Sequence, residues 1–355
     1  MLIDCNDIVN NLRIWVEKQR VNGTLYYKMC THAKIERLAD STSLAYDLLN
    51  MIGLSFTEDE KCIAKHILDE FQHGDGFFYE NNIGEFFKNS NIDRVEEMHA
   101  NYLTFQMIGA YRVLGFLPPR KIEFYDQFIE SASISKYLSN NCPWIRSPWG
   151  AGGMVDNLGT ILKCNIDIGY LEYKDIVEEV FIWLEKHQDS KTGLWGDISV
   201  QGINGIINGG YHLMRGTYFL YNRDFKYGKQ IIDTILEDLK LNMIFDDKHA
   251  HGCNDLDHFY LLFKCVEKYP DYRRDEVIDT VMRRLKVLPQ LICCDDGGLS
   301  FLGESSVVTH NYIHVSEGKK EGDMQGSVFY LQTFKSMLDI IGQDNIIHAS
   351  KTHAV

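Results

Sequence analysis

The sequence predicts an all-α protein, an α/α toroid in which six inner and six outer helices alternate along one domain spanning residues 1–355. Three observations predict it. Six stretches are apolar on nearly every side, as helices buried all round are. Six amphipathic stretches with charged faces lie between them. A short motif also recurs in which a helix ends at a Gln and a Gly-containing turn then presents an aromatic ring.

The apolar stretches begin near Asp40, Ala100, Gly153, Asn208, Asn254 and Asp323. Their starts recur at roughly 45–70 residues, the length of two helices and two loops. The amphipathic helices are expected at roughly 5–18, 58–72, 120–138, 173–188, 224–241 and 271–289. Acidic starts such as Thr57-Glu58-Asp59-Glu60 suit a helix N-terminus, where the macrodipole favours negative charge. A closed double ring explains the all-round apolar character, because an inner helix touches an outer partner, two inner neighbours and the cavity.

The recurring motif is sharpest at Trp183-Leu184-Glu185-Lys186-His187-Gln188, followed by Gly193-Leu194-Trp195. An earlier copy runs from Ile67 to Gln72 and on to Gly76-Phe77-Phe78, and a degraded one from Leu288-Pro289-Gln290 to Gly297 and Phe301. Gly supplies the positive φ of the turn. The Gln amide is suited to orphan groups at neighbouring helix ends, and the ring to stapling one hairpin to the next.

Composition excludes several classes. A net charge of −14 lacks the basic face of a nucleic-acid binder. No apolar run approaches the ~18–20 residues of a membrane span. The opening Met1-Leu2-Ile3-Asp4-Cys5-Asn6-Asp7 has no basic stretch leading into an apolar one, so no secretory signal is expected and the protein is expected in the cytoplasm. Nine cysteines without a C-x-x-C pair read as reduced thiols.

The aromatic-Leu-x-x-x-Gln and Gly-x-Trp elements at Trp183 to Trp195 resemble the QW repeat of the terpenoid cyclases. Squalene cyclases and the β subunits of protein prenyltransferases share that repeat and the α/α toroid. The chain resembles prenyltransferase and squalene-oxidase repeat proteins more than it does any well-studied enzyme. The resemblance implies an isoprenoid substrate held in a central aromatic-lined cavity, with cyclisation started by an acid. The nearest match to the superfamily's Asp-x-Asp-Asp acid motif is Asp255-Leu256-Asp257-His258, where His258 replaces the last Asp. The zinc pattern of the prenyltransferases is broken: Cys253 precedes Asp255 in inverted order, and Gly326 stands where a His is expected. His310 and His314 share a loop without a third ligand in sequence, and Asp246-Asp247 lacks the later Asp of a magnesium motif, so neither metal nor cofactor is expected.

In such a ring the inner-helix N-termini gather at one mouth. The expected catalytic groups are Asp257, Asp255, Asp323 and His258, with the three aspartates crowded so that at least one carboxyl stays protonated. Asp156, Asn157, Trp149, Tyr211, His212, Tyr102, Phe259 and Glu304 are expected to contact substrate. The helix dipole accounts for some of the acids but not for the His and Asn residues. Two other readings fit the ring: a carbohydrate-active enzyme using Asp156, Asp255, Asp257 and Glu304 with Trp149 and Trp195 as sugar platforms, and a non-catalytic scaffold.

Overall fold

The computed structural model describes residues 5–88, 90–130 and 133–354. Its chain is all-α. In order, the helices are α1 (Cys5–Gln19), α2 (Ala39–Met51), α3 (Glu58–Asp69), α4 (Ile83–Phe87), α5 (Val95–Leu114), α6 (Gln127–Glu130), α7 (Ile134–Asn140), α8 (Pro148–Ile168), α9 (Tyr173–His187), α10 (Ile198–Met214), α11 (Gly228–Leu241), α12 (Gly252–Lys268), α13 (Arg274–Ile292) and α14 (Met324–Ile341). One antiparallel strand pair is described, β1 (Thr309–His310) with β2 (Ile313–His314). No helix of the described residues is long and apolar enough to cross a membrane.

The six apolar stretches form α2, α5, α8, α10, α12 and α14. Each packs on the next, and α14 packs in turn on α2. On their other sides α1 packs on α2, α3 on α5, α9 on α8, α11 on α12 and α13 on α14. The local chemistry explains the boundaries. Thr57 and Glu60 form a reciprocal capping box at the start of α3. The Asp323 carboxylate accepts the Gly326 N–H at the start of α14, and Gly342 (φ +69°) ends it.

Two expectations need correction. The amphipathic helix expected at 120–138 is not continuous: a 3₁₀ turn (Glu123–Asp126) runs into α6, and Ser133 caps a new helix, α7. Residues 131 and 132 within it lie outside the described residues, as do Met1–Asp4 of the N-terminal reading. The helix expected from Asn208 begins instead at Ile198, breaks at Gly202 (φ +69°), and continues past Met214 as a π-helical turn, Arg215–Phe219.

The Gln-Gly-aromatic motif is structural. Gln188 Nε2 donates to the carbonyls of Gly193 (2.7 Å) and Lys226 (3.2 Å), tying the end of α9 to the approach to α11. Gln72 Nε2 likewise donates to Gly76 and Arg120, and its Oε1 accepts from Arg120 N–H. The Trp195 ring is buried, and its Nε1–H donates to Leu184 O at 2.9 Å. The third copy departs: Gln290 is exposed and bonds only within α13. A further copy lies at Trp15, Gln19, Gly23 and Leu25, where buried Gln19 reaches Thr31 and Arg20 pairs with Tyr27.

Candidate functional site

The site is built where α8 and α10 nearly touch. A Cβ on Gly152 would lie 2.0 Å from Gly209 O, and one on Gly159 would lie 2.1 Å from Gly216 O. Glycines seven residues apart on each helix therefore let the backbones meet. This closeness, with the π-turn that follows Met214, brings Arg215 and His212 onto Asp156.

Arg215 and Asp156 are both buried and form a two-bond ion pair through one guanidinium edge, Nε and Nη2. Arg215 Nη1 also donates to Tyr211 Oη and to His353 Nδ1, each at 3.0 Å. The guanidinium lies 4.3 Å from the Phe105 ring centre, in cation–π range. Its Nη2 stands 3.1 Å from His212 Nδ1. A guanidinium can only donate, so His212 Nδ1 accepts and the imidazole proton sits on Nε2. That Nε2 is 3.8 Å from Asp257 Oδ2. Oδ2 is buried and has no hydrogen-bond partner among the described residues. Burial raises the Asp257 carboxyl well above the ordinary range; Arg215 pulls it down and Asp156 pushes it further up. Burial also holds His212 neutral, more strongly than the Asp156 carboxylate favours its charged form. A neutral carboxylic acid thus faces a neutral imidazole.

Tyr102, His212 and Cys253 are enclosed by protein yet keep accessible surface, 17% in the case of His212, so a small interior space lies beside them. A second polar pair is nearby. Buried His310, on β1, is 2.7 Å through Nδ1 from Asp40 Oδ2. The carboxylate accepts a hydrogen bond from Nδ1–H, leaving Nε2 as a lone pair without a partner among the described residues. The ring packs edge-on to Tyr102, 5.6 Å between centres. The β1–β2 hairpin thereby covers the N-terminal end of α2.

Several expected site residues lie elsewhere. Asp255 and Asp257 are two apart on α12, so they leave the helix on different sides. Asp255 makes a two-bond ion pair with Arg284 of α13, both bonds 2.8 Å, and does not share a proton with Asp257. Asp323 is a clip: its Oδ1 accepts Gly326 N–H, and its Oδ2 accepts Phe301 and Val307 N–H. Burial raises it to about 6, against those bonds. His258 is buried against Asp238 of α11 at 2.9 Å, not against Asp257. Glu304 is exposed on a surface turn. Trp149 is half-buried at the start of α8, where its N–H donates to Gln201, and Asn157 is half-buried further along that helix. Phe259 is buried in the core. Asp156, Tyr211, His212 and Asp257 do come together, with Tyr102 alongside. His314 is exposed while His310 is buried, so the two do not share a ligand site.

Sequence reasoning missed Arg215, His353 and the Asp40–His310 pairing. The glycine spacing at 152, 159, 209 and 216 was the available signal for Arg215; nothing local marks the other two. No family model, characterised protein or solved structure matches the chain.

Proposed function

We propose that the chain is an α/α toroid enzyme of the terpenoid-cyclase kind, which starts the cyclisation of an isoprenoid by protonating it from Asp257. The circuit of contacts from α2 through α5, α8, α10, α12 and α14 back to α2 supports the ring. The observation that carries the chemistry is the Asp257 carboxyl: buried, kept protonated by desolvation, with an oxygen lacking a hydrogen-bond partner among the described residues. An acid held neutral in a dry site is what protonation of an alkene requires. Tyr102, packed beside Phe105, supplies a ring for the resulting cation, whereas Arg215 already lies over Phe105 and Tyr211. Arg215 and Asp156 neutralise each other, which leaves Asp257 free of a fixed counter-charge.

In this mechanism the Asp257 proton passes to a terminal C=C bond and the cation forms at the more substituted carbon. Ring closure moves the charge, and His310 Nε2 removes a proton to leave a new alkene. Asp40 orients His310 through the hydrogen bond at Nδ1. Nine cysteines, with no disulfide among the described residues, suit a reducing cytoplasm for this enzyme. The carbohydrate reading gains less support, because the imidazole of His212 stands between Asp156 and Asp257, where a sugar and its water would need to sit.

The test is product analysis. The chain is incubated with linear isoprenoid alcohols, diphosphates and epoxides of graded length, and products are separated by mass. Cyclic product from the wild type that is lost in Asp257→Asn, and reduced in His310→Gln with linear or hydrated by-products, supports the mechanism. Product formation unaffected by Asp257→Asn refutes it.

A further inference from the structure

The space enclosed by α2, α5, α10 and α14 is not empty. Residues 346–354 leave α14 after Gly342, run without regular structure, and insert Ser350, Thr352, His353 and Ala354 between these helices as buried residues. They enter beside Asp47 and Gly109, in the C-terminal halves of α2 and α5, and beside Gln332 at the middle of α14. Ser350 Oγ and Lys351 N–H donate to the Asp47 carboxylate, and Ser350 N–H donates to Gln332 Oε1. Deeper in, the His353 carbonyl accepts from Tyr211 Oη at 2.9 Å. Its ring packs against Phe105 and Phe329, with Nδ1 accepting from Arg215.

Three features separate this segment from ordinary core. Its composition is wrong: Ser, Thr, His and Ala fill a space walled by Phe105, Tyr211 and Phe329, where apolar residues would gain more from burial. Its burial is polar and imperfect. His353 Nε2 has no partner among the described residues, and desolvation holds that ring neutral. Desolvation likewise raises the Asp47 carboxyl, whose hydrogen bonds come from residues 350–352. Finally, the wall is shaped for it. A Cβ on Gly109 would lie 2.0 Å from Thr352 Oγ1, and Thr352 supplies all three of the nearest atoms to that position. Gly109 sits mid-helix, where Gly is disfavoured, so its use there serves the segment.

We propose that residues 346–354 are a releasable plug that occupies the substrate chamber and holds the enzyme closed until it swings out about Gly342. The plug touches Arg215 and Tyr211, next to His212 and Asp257, so its departure opens a channel from the C-terminal ends of the helices to the acid. The chamber so opened takes an elongated apolar ligand. This inference rests on the reading of the ring as a substrate chamber. It is distinct from the identity of the substrate.

Hydrogen exchange on the full chain tests the plug without any variant. The amides of Ser350, Thr352 and His353 should exchange through a local opening, well before those in the middle of α8 and α12. Equal protection in both places overturns the proposal, because the segment then opens only when the whole protein unfolds. Gly109→Ala is the sharper probe. It improves α5 as a helix, and the three atoms its Cβ would meet first all belong to Thr352, so exchange in 346–354 should rise at least about tenfold while α8 and α12 hold. Unchanged exchange in Gly109→Ala overturns the proposal. In the same variant, and in a chain ending at residue 345 if that folds, anilinonaphthalene sulfonate should bind and fluoresce where the wild type stays dark. Absence of binding in Gly109→Ala also overturns it. Displacement of the dye by geranylgeraniol supports plug and isoprenoid reading together. Dye binding that geranylgeraniol does not displace supports the plug and sinks the isoprenoid reading alone.

Discussion

Replacing Trp195 tests how the hairpins are fastened to one another. The ring is 3% exposed, lies 6.0 Å from Tyr218 between centres, and donates Nε1–H to the Leu184 carbonyl at the end of α9. A buried Trp covers about 150–250 Å², worth up to about 4–6 kcal/mol at 25 cal/mol per Å². Truncation to Ala keeps little of this and leaves a cavity, so Trp195→Ala should lose about 3–5 kcal/mol. Trp195→Phe keeps a ring and loses the hydrogen bond, a loss of about 1–2 kcal/mol. Urea unfolding followed by far-ultraviolet dichroism gives both values from the shift in midpoint at unchanged slope. Two results would refute the reasoning: Trp195→Ala within about 0.5 kcal/mol of the wild type, or the two variants equally destabilised, which would assign the whole effect to the hydrogen bond.

Other perturbations separate structural from functional polar groups. Arg284→Ala leaves Asp255 as a buried, unpaired charge and should lose about 3–5 kcal/mol in urea unfolding, most of it recovered by adding Asp255→Leu. Gly152→Ala forces a Cβ to 2.0 Å from Gly209 O, so α8 and α10 must separate. The expected loss is more than about 2 kcal/mol, whereas the same change at Gly153, where a Cβ would meet nothing within 4 Å, should be neutral or slightly stabilising. Stability should also fall as pH rises from 6.5 toward about 8. Burial raises Glu80 from 4.5 to about 8 and Asp257 well above its ordinary 3.8, so the unfolded chain releases these protons first; the contribution is full below about pH 4 and is lost progressively as pH rises, the last part of it between 6.5 and about 8. His212 and His353, both lowered by burial, act oppositely and destabilise the fold only as pH drops below 6.5. Asp257→Asn, already neutral, should flatten the alkaline decline, as thermal melts across the range would show.

Much of the helical layout was legible because it rests on local pattern. The apolar stretches starting near Asp40 and Asn254 and the capping box at Thr57 each carry their own signal. The segment 120–138 misled because its amphipathic pattern spans a break that Ser133 starts anew as a cap. At the site, Asp156, His212 and Asp257 were legible as polar residues on apolar helices. Their partners were not. Asp255 and Asp323 have the same composition and position in sequence as Asp257, yet Arg284 and three backbone N–H groups claim them. That choice is made by the rotation of α12 and α14, which hydrophobic pattern does not specify when a helix is apolar all round. Residues 346–354 were the least legible. A run of Ser, Lys, Thr and His reads as solvated chain, and only the cleft at Gly109 and the carboxylate of Asp47 make its burial possible.

The protonation state of Asp257 at neutral pH is the most direct test of the account. Infrared difference spectra between the wild type and Asp257→Asn, recorded with carboxyl-labelled aspartate, isolate its C=O stretch without any substrate. The account predicts a protonated-carboxyl band at neutral pH that persists into mildly alkaline solution and is absent from the variant. A carboxylate band in its place would show that Asp257 is ionised in the folded protein, and the proposed acid would not exist.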